Sequence, residues 1–249
     1  MNVGTSDNLL IGGFIISGAE PKKLILRAIG PSLAAGGISN VMSDPMLTVY
    51  DSTGKMIASN DDWSTSAQAA QIAATGVAPT ARAEAALIAT LPSGSYTAVV
   101  SGQDNGQGIA LVEAYELDST STRLVNISTR GRIGVGEEAL IGGLILQGDR
   151  AKQVLVRALG PSLSASGIQG ALANPALELR DGAGNLVASN DDWRDSAQAA
   201  QIIASGVPPS DDRESAVVIN LNPGSYTAVV HGANNGSGVG MVEVFDLQP

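Results

Sequence analysis

The hexapeptide Ala58-Ser59-Asn60-Asp61-Asp62-Trp63 recurs letter for letter 130 positions later, ending at Trp193, and these two copies hold both tryptophans of the chain. The same offset holds without a gap from Gly4/Gly134 through Pro31/Pro161 and Tyr96/Tyr226 to Glu113/Glu243. A repeat of that period in 249 residues means one folding unit used twice, each near the common domain size. Whatever fold is assigned must therefore be satisfied by about half the chain.

Within each copy the pattern is β. Met46 to Tyr50 alternates apolar and polar, and Asp51-Ser52-Thr53-Gly54 turns the chain into a second short run. Lys23 to Gly30 is too apolar to face water on both sides. Gly30-Pro31-Ser32-Leu33 then opens a long loop with room for one helical turn. The spacing predicts a single helix over residues 65–74, capped by the polar Asn60-Asp61-Asp62 entry and closed by Gly76. Turn signals at this density predict two tandem antiparallel β-sandwiches, Greek-key or jelly-roll-like, each with one short inserted helix. Residues 1–118 form the first, Ser119-Thr120-Ser121-Thr122 a linker, and residues 123–249 the second. Tyr96 and Tyr226 follow Pro-Ser-Gly-Ser and Pro-Gly-Ser turns, and are read as corners whose hydroxyls bond back to the chain.

One strand breaks the symmetry. Arg123, Leu124, Val125, Asn126, Ile127, Ser128, Thr129 and Arg130 form a lead-in strand ahead of the second copy, and the matching register of the first precedes Met1. One sandwich is then a strand short. An open sheet edge is a template for another strand, so this run is the expected assembly strand of a head-to-tail array, the alternative being that the chain is cut from a longer repeat array whose preceding part is lost.

Composition narrows the partners. The net charge of −10 repels phosphate backbones and argues against nucleic acid. Cysteine is absent, which removes disulfides, thiolate nucleophiles and cysteine-bound metals. No apolar run reaches the ~20 residues of a membrane helix, so no membrane insertion is expected. Residues 1–6 do not read as a signal peptide. The expected partners are the chain itself or neighbouring repeats, with surface glycans as the other candidate.

Several groups carry candidate chemistry. Asn60, Asp61 and Asp62, with Asp51 and Glu84, supply hard oxygens suited to Ca²⁺; Asn190, Asp191, Asp192, Asp181 and Glu214 repeat the set. Capping and turn-holding are the competing use of these side chains. Trp63 and Trp193 offer either a stacking face for a sugar ring or the large plug of an aliphatic core. Arg27 with Glu113, and Arg157 with Glu243, lie inside apolar strands and are read as buried ion pairs. The single histidine, His231, has Ser101 as its counterpart, so no duplicated Ser-His-Asp set exists. Gly12-Gly13 and Gly142-Gly143 lie within strands and mark close packing. Lys22 and Lys152 sit at a turn, where a solvated lysine rather than a Lys–Asn cross-link is expected.

The segments Leu-Val-Asn-Ile-Ser-Thr-Arg-Gly, Arg-Ala-(Ile/Leu)-Gly-Pro-Ser-Leu, Ala-Ser-Asn-Asp-Asp-Trp and Gly-Ser-Tyr-Thr-Ala-Val-Val resemble a β-sandwich module that recurs in tandem in large secreted bacterial proteins. The strand-turn-strand ending in Ser-Asn-Asp-Asp is also similar to bacterial pre-peptidase C-terminal domains. The resemblance implies export to the cell surface or beyond and a structural or adhesive, non-enzymatic role. The alternative is a calcium-dependent carbohydrate-binding module.

Overall fold

The apolar-polar alternation read from the sequence becomes strands throughout a computed structural model that describes residues 1–4, 9–136 and 138–248. The chain divides into two units, Met1–Val125 and Asn126–Pro249. Unit 1 contains β1 (Asn2–Val3), β2 (Leu10–Ser17), β3 (Lys22–Ile29), β4 (Pro45–Asp51), β5 (Met56–Asn60), α1 (Ala69–Ala74), β6 (Ala85–Leu91), β7 (Gly94–Gly102), β8 (Gly108–Ile109) and β9 (Leu111–Glu116). β10 (Arg123–Ile133) crosses the division. Unit 2 continues with β11 (Leu140–Leu146), β12 (Lys152–Leu159), α2 (Pro161–Ala165), β13 (Pro175–Asp181), β14 (Leu186–Asn190), α3 (Ala199–Ala204), β15 (Ser215–Leu221), β16 (Gly224–Gly232) and β17 (Gly238–Asp246). Asn8, expected to begin the first long strand, lies outside the described residues.

Each unit is an antiparallel sandwich. In unit 1 the order β2-β7-β4-β5 faces the order β6-β3-β9. In unit 2, β11-β16-β13-β14 faces β15-β12-β17-β10. The inner faces are aliphatic and closely layered. A Cβ on Gly12 would stand 3.0 Å from Val112 Cγ1, and one on Gly142 2.8 Å from Val242 Cγ1. Both glycines therefore let the sheets approach, as the strand context implied.

The opposite face of β3 carries a second apolar layer. Ile25, Ile72 and Ala86 form a buried cluster with Trp63 and Tyr115 packed against it, and Leu155, Trp193, Ile202, Ala216 and Val218 repeat it. The helix that supplies this layer is shorter than expected, being Ala69–Ala74 after a 3₁₀ turn at Trp63–Thr65. Asn60, Asp61 and Asp62 do not cap it. Its N-cap is Gln68, which makes no side-chain cap and instead bridges to Ile88 through both its amide oxygen and nitrogen. Gly76, at φ +75°, closes it as expected. The tyrosine corners form, with Tyr96 donating to the carbonyl of Pro92 (2.8 Å) and Tyr226 to that of Asn222 (3.0 Å).

The expected linker is packed structure. Thr122 is fully buried, its Oγ1 accepts from the Glu20 amide (3.1 Å), and its atoms lie within 2.7 Å of where a Gly18 Cβ would be. Lys22 is buried too, not solvated. Its ammonium pairs with Glu116 (2.9 Å) and Asp118 (2.8 Å), and the bond from Lys22 holds the Asp118 carboxyl down to about 2. A charged lysine and an ionised aspartate are the wrong protonation states for amide cross-linking. They tie the segment after β9 to β3 instead.

Candidate functional site

The asymmetry between the two sandwiches lies along one sheet edge. In unit 2, residues 126–133 of β10 pair antiparallel with β17, with Asn126 opposite Phe245, Ser128 opposite Glu243 and Ile133 opposite Gly238. In unit 1 only the last two positions of that register are filled. Asn2 lies opposite Ile109 and Val3 opposite Gly108, matching Arg132/Val239 and Ile133/Gly238 at the 130-residue offset. Met1 extends the match by one residue, exchanging 2.9 Å bonds with Ala110 in both directions. Beyond Ala110, among the described residues, β9 has no strand along its outer edge.

The backbone groups left open follow from the ladder. Leu117 donates to the Lys23 carbonyl, so the odd-numbered residues of β9 bond to β3. In an antiparallel strand the alternate residues turn both groups the other way. Val112, Ala114 and Glu116 therefore present their N–H and C=O groups outward, as Ala110 does towards Met1. Their counterparts Val242 and Val244 face β10. The side chains record the same difference: Val242, Glu243 and Val244 are buried, whereas Val112, Glu113 and Ala114 are half-buried and Leu111 is 39% exposed.

β10 is thus not a free assembly strand. Asn126, Ile127, Ser128, Thr129 and Arg130 are engaged by β17, and Asn126 is buried with its amide donating to the Val244 carbonyl (3.2 Å). In unit 1 the Leu124 amide is held by Glu116 Oε1 (2.7 Å). Moving β10 to another copy would only transfer the opening from β9 to β17. Among the described residues, the strand that lacks a partner on its outer side is Leu111–Glu116, which the sequence offset did not single out.

Both expected ion pairs form, with Glu243 buried and the Arg27–Glu113 pair half-buried. Arg27 Nε donates to Glu113 Oε2 (3.0 Å) and Arg157 Nε to Glu243 Oε2 (2.6 Å). Each guanidinium also bonds a carbonyl, Val77 or Val207, and lies about 5 Å from an aromatic ring, Tyr115 or Phe245. Tyr115 closes the first network by donating to Glu113 Oε1 (2.8 Å).

Of the residues expected to hold Ca²⁺, Asp51, Glu84 and Asn60 and their counterparts Asp181, Glu214 and Asn190 make hydrogen bonds within the chain, whereas Asp61 Oδ1 and Asp192 Oδ1 are buried without a partner. Asp51 Oδ1 accepts from Thr53 and Lys55 within its hairpin, and Asp181 serves Ala183 and Asn185 in the same way. Glu84 is fully buried. Its Oε1 takes Gly30 N (3.1 Å), Ser32 N (2.9 Å) and the Ser32 hydroxyl, and its Oε2 takes Ala81 N (3.2 Å). Glu214 repeats this with Gly160, Ser162 and Asp211. Asn60 and Asn190 accept from Ala86 and Ala216 (2.8 Å each). Asp61 instead shares its surroundings with Asp44 and Asp104, two residues that sequence spacing did not connect to it. Burial, then the charges of Asp44, Asp62 and Asp104, push the Asp61 carboxyl up. In unit 2, Asn174 and Asn234 replace Asp44 and Asp104; burial, then Asp192, pushes Asp191 up. Among the described residues, no three His, Asp or Glu side chains are gathered closely enough to hold a metal ion.

Trp193 is a core residue, and Trp63 is half-buried against the same kind of cluster. Trp193 is 1% exposed and donates to the Asp211 carbonyl, which removes its face from any sugar. Trp63 donates to the Ala81 carbonyl (2.9 Å) and packs on the Ile25 cluster.

Fold and site together define a tandem β-sandwich protein in which β9 is an edge strand of the first unit among the described residues. No family model and no curated protein matches the sequence. Solved structures with some likeness include the STIV MCP (13% identity, 99% of this chain and 93% of that one, TM-score 0.28). Others are a putative secreted protein from Eubacterium rectale (8%, 94% and 68%, TM-score 0.24) and the PBCV-1 virus capsid (7%, 98% and 95%, TM-score 0.23). At these scores the likeness carries no conclusion about function.

Proposed function

We propose that the protein is a non-enzymatic structural module, extracellular or at the cell surface, joined in series to its neighbours by β-strand addition. Unit 1 accepts, along Leu111–Glu116, a strand that belongs to a neighbouring copy or repeat. The observation that supports this reading is the contrast between β9 and β17: the same strand is covered by residues 126–133 in unit 2 and left open beyond Ala110 in unit 1. Unpaired backbone groups in a row favour pairing with another chain, and main-chain hydrogen bonds would supply the affinity. Acidic charge and the lack of cysteine suit such a setting.

Light scattering after size exclusion, with negative-stain imaging, tests the proposal. The isolated chain should self-associate through the open edge as its concentration rises. Ala114→Pro should be monomeric, because it removes an outward donor without breaking a bond to β3. A wild-type chain that stays monomeric at every concentration contradicts the proposal. Repeating the run with a calcium chelator and a glycan array covers the carbohydrate-binding alternative.

A further inference from the structure

We propose that unit 1 carries a carbohydrate site in which the uncovered face of Trp63 stacks the ring of an acidic sugar, a hexuronate, and Arg82 binds its carboxylate. The site is independent of strand addition and needs no calcium.

Unit 2 shows the same indole with its outer face filled from within. The Arg194 guanidinium lies over the Trp193 ring, 4.6 Å from its centroid, and is held there by Asp212, so that Trp193 is 1% exposed. A second ion pair, Arg213 with Asp211, lies on the same loop. At the 130-residue offset unit 1 has Ser64 for Arg194, Ala81 for Asp211, Arg82 for Asp212 and Ala83 for Arg213. A serine has no planar group to lay on the ring, and Trp63 is left half-buried. Its inner contacts are nevertheless those of Trp193: Nε1 donates to the Ala81 carbonyl as Trp193 does to that of Asp211, and the ring packs on the Ile25 cluster. The replacement also inverts the charge. The side chain at position 212 reaches the group stacked on the indole, so Arg82, at the matching position, can reach a group stacked on Trp63. Arg82 is exposed and makes no ion pair among the described residues. The acids near it in sequence are directed elsewhere: Glu84 into the Gly30–Ser32 turn, and Asp62 towards Asp44 and Asp61. An indole face accepts the C–H face of a pyranose, and a guanidinium grips a carboxylate through paired N–H donors. A cation of the Arg194 kind would be repelled by Arg82, and a neutral sugar would leave Arg82 unused. A sugar ring bearing a carboxylate uses both groups.

The probe is tetragalacturonate, titrated by calorimetry into the full-length chain in the presence of a calcium chelator. In a Trp193→Phe background the remaining fluorescence reports Trp63. Saturable binding at one site per chain, with a change in Trp63 emission, is the expected result. The carboxyl-reduced tetrasaccharide should bind about fivefold more weakly, the worth of an exposed ion pair of roughly 1 kcal/mol. Trp63→Ala also removes packing from the Ile25 cluster, so the deciding variants exchange the two surfaces instead. Ser64→Arg with Arg82→Asp gives unit 1 the lid that unit 2 carries, should fold as unit 2 does, and should abolish binding. Arg194→Ser, Asp211→Ala, Asp212→Arg and Arg213→Ala together should uncover Trp193 and raise the stoichiometry to two. Binding unchanged in Ser64→Arg with Arg82→Asp overturns the site. So does the absence of binding at millimolar sugar. Equal affinity for the acidic and reduced sugars, or tighter binding of N-acetylarginine amide than of the uronate, overturns the assignment of the ligand.

Discussion

Replacing Glu84 by Ala should be among the most damaging single changes in unit 1. Its carboxylate is fully buried and accepts from two amides and a hydroxyl of the Gly30–Ser32 turn and from the Ala81 amide, while its own carbonyl accepts from Trp63 (3.0 Å). One side chain thus fastens the loop after β3 to the segment before β6. A hydrogen bond to a charged acceptor contributes about 1.5–3 kcal/mol, and donors left buried without partners add their own cost. Even with partial relaxation the loss is on the order of 4 kcal/mol or more, against about 5–15 kcal/mol for a whole domain. Glu84→Gln keeps one oxygen and sets an NH₂ against a donor, for about 1–3 kcal/mol. Urea unfolding followed by fluorescence resolves this, because each unit has a single tryptophan. In a Trp193→Phe background the remaining signal reports unit 1, where the midpoint should fall by roughly 2 M or folding should be lost for Glu84→Ala. In a Trp63→Phe background, Glu214→Ala should do the same to unit 2. A chelator should leave the wild-type midpoints in place. Unchanged midpoints in Glu84→Ala, or a wild-type midpoint that falls with chelator, would refute the assignment of this carboxylate as an internal clamp.

Arg157→Leu leaves Glu243 buried at 8% exposure without its partner, and should destabilise unit 2 by about 3–5 kcal/mol in the same assay; Arg157→Leu with Glu243→Leu should recover much of it. Gly142→Ala brings a methyl to 2.8 Å from Val242 and should cost about 1–3 kcal/mol, whereas Gly36→Ala, with nothing within 4 Å, should stay within about 0.5 kcal/mol. Asp104→Asn should raise the melting temperature of unit 1 at pH 7, since it removes a charge that pushes Asp44 and Asp61 up. A carboxyl raised in the folded state destabilises at pH above its folded pKa, and this penalty fades as pH falls through that value and towards the unfolded one. The gain should therefore shrink by pH 4, and an equal gain at both pH values contradicts the electrostatic account.

The duplicated features were the legible ones. A residue pair retained at the same offset in both copies, such as Arg27/Glu113 with Arg157/Glu243, has one spatial solution that serves twice, so burial of the pair could be read from strand patterning. The tyrosine corners and the Gly12 and Gly142 contacts followed for the same reason. What stayed hidden depends on contacts remote in sequence. Glu84 looks like a loop acid until Gly30 and Ser32, more than fifty residues earlier, are seen to donate to it. Asp44 and Asp104 reach Asp61 only through the fold. The polar letters of residues 119–122 suggest a flexible joint, yet Thr122 is a buried acceptor against Gly18. That residues 123–130 lead into the second copy was countable from the repeat, but the strand they pair with became clear only from β10 lying along β17.

Amide exchange at single-residue resolution puts the β9 edge to the most direct test. In dilute chain, the amides of Val112, Ala114 and Glu116 should exchange fast while those of Val242 and Val244 are protected, and the first set should become protected as the chain associates. Protection of Val112 and Ala114 equal to that of Val242 and Val244 in the dilute monomer, or fast exchange at Val112, Ala114 and Glu116 in the assembled state, would contradict an accepting edge in unit 1.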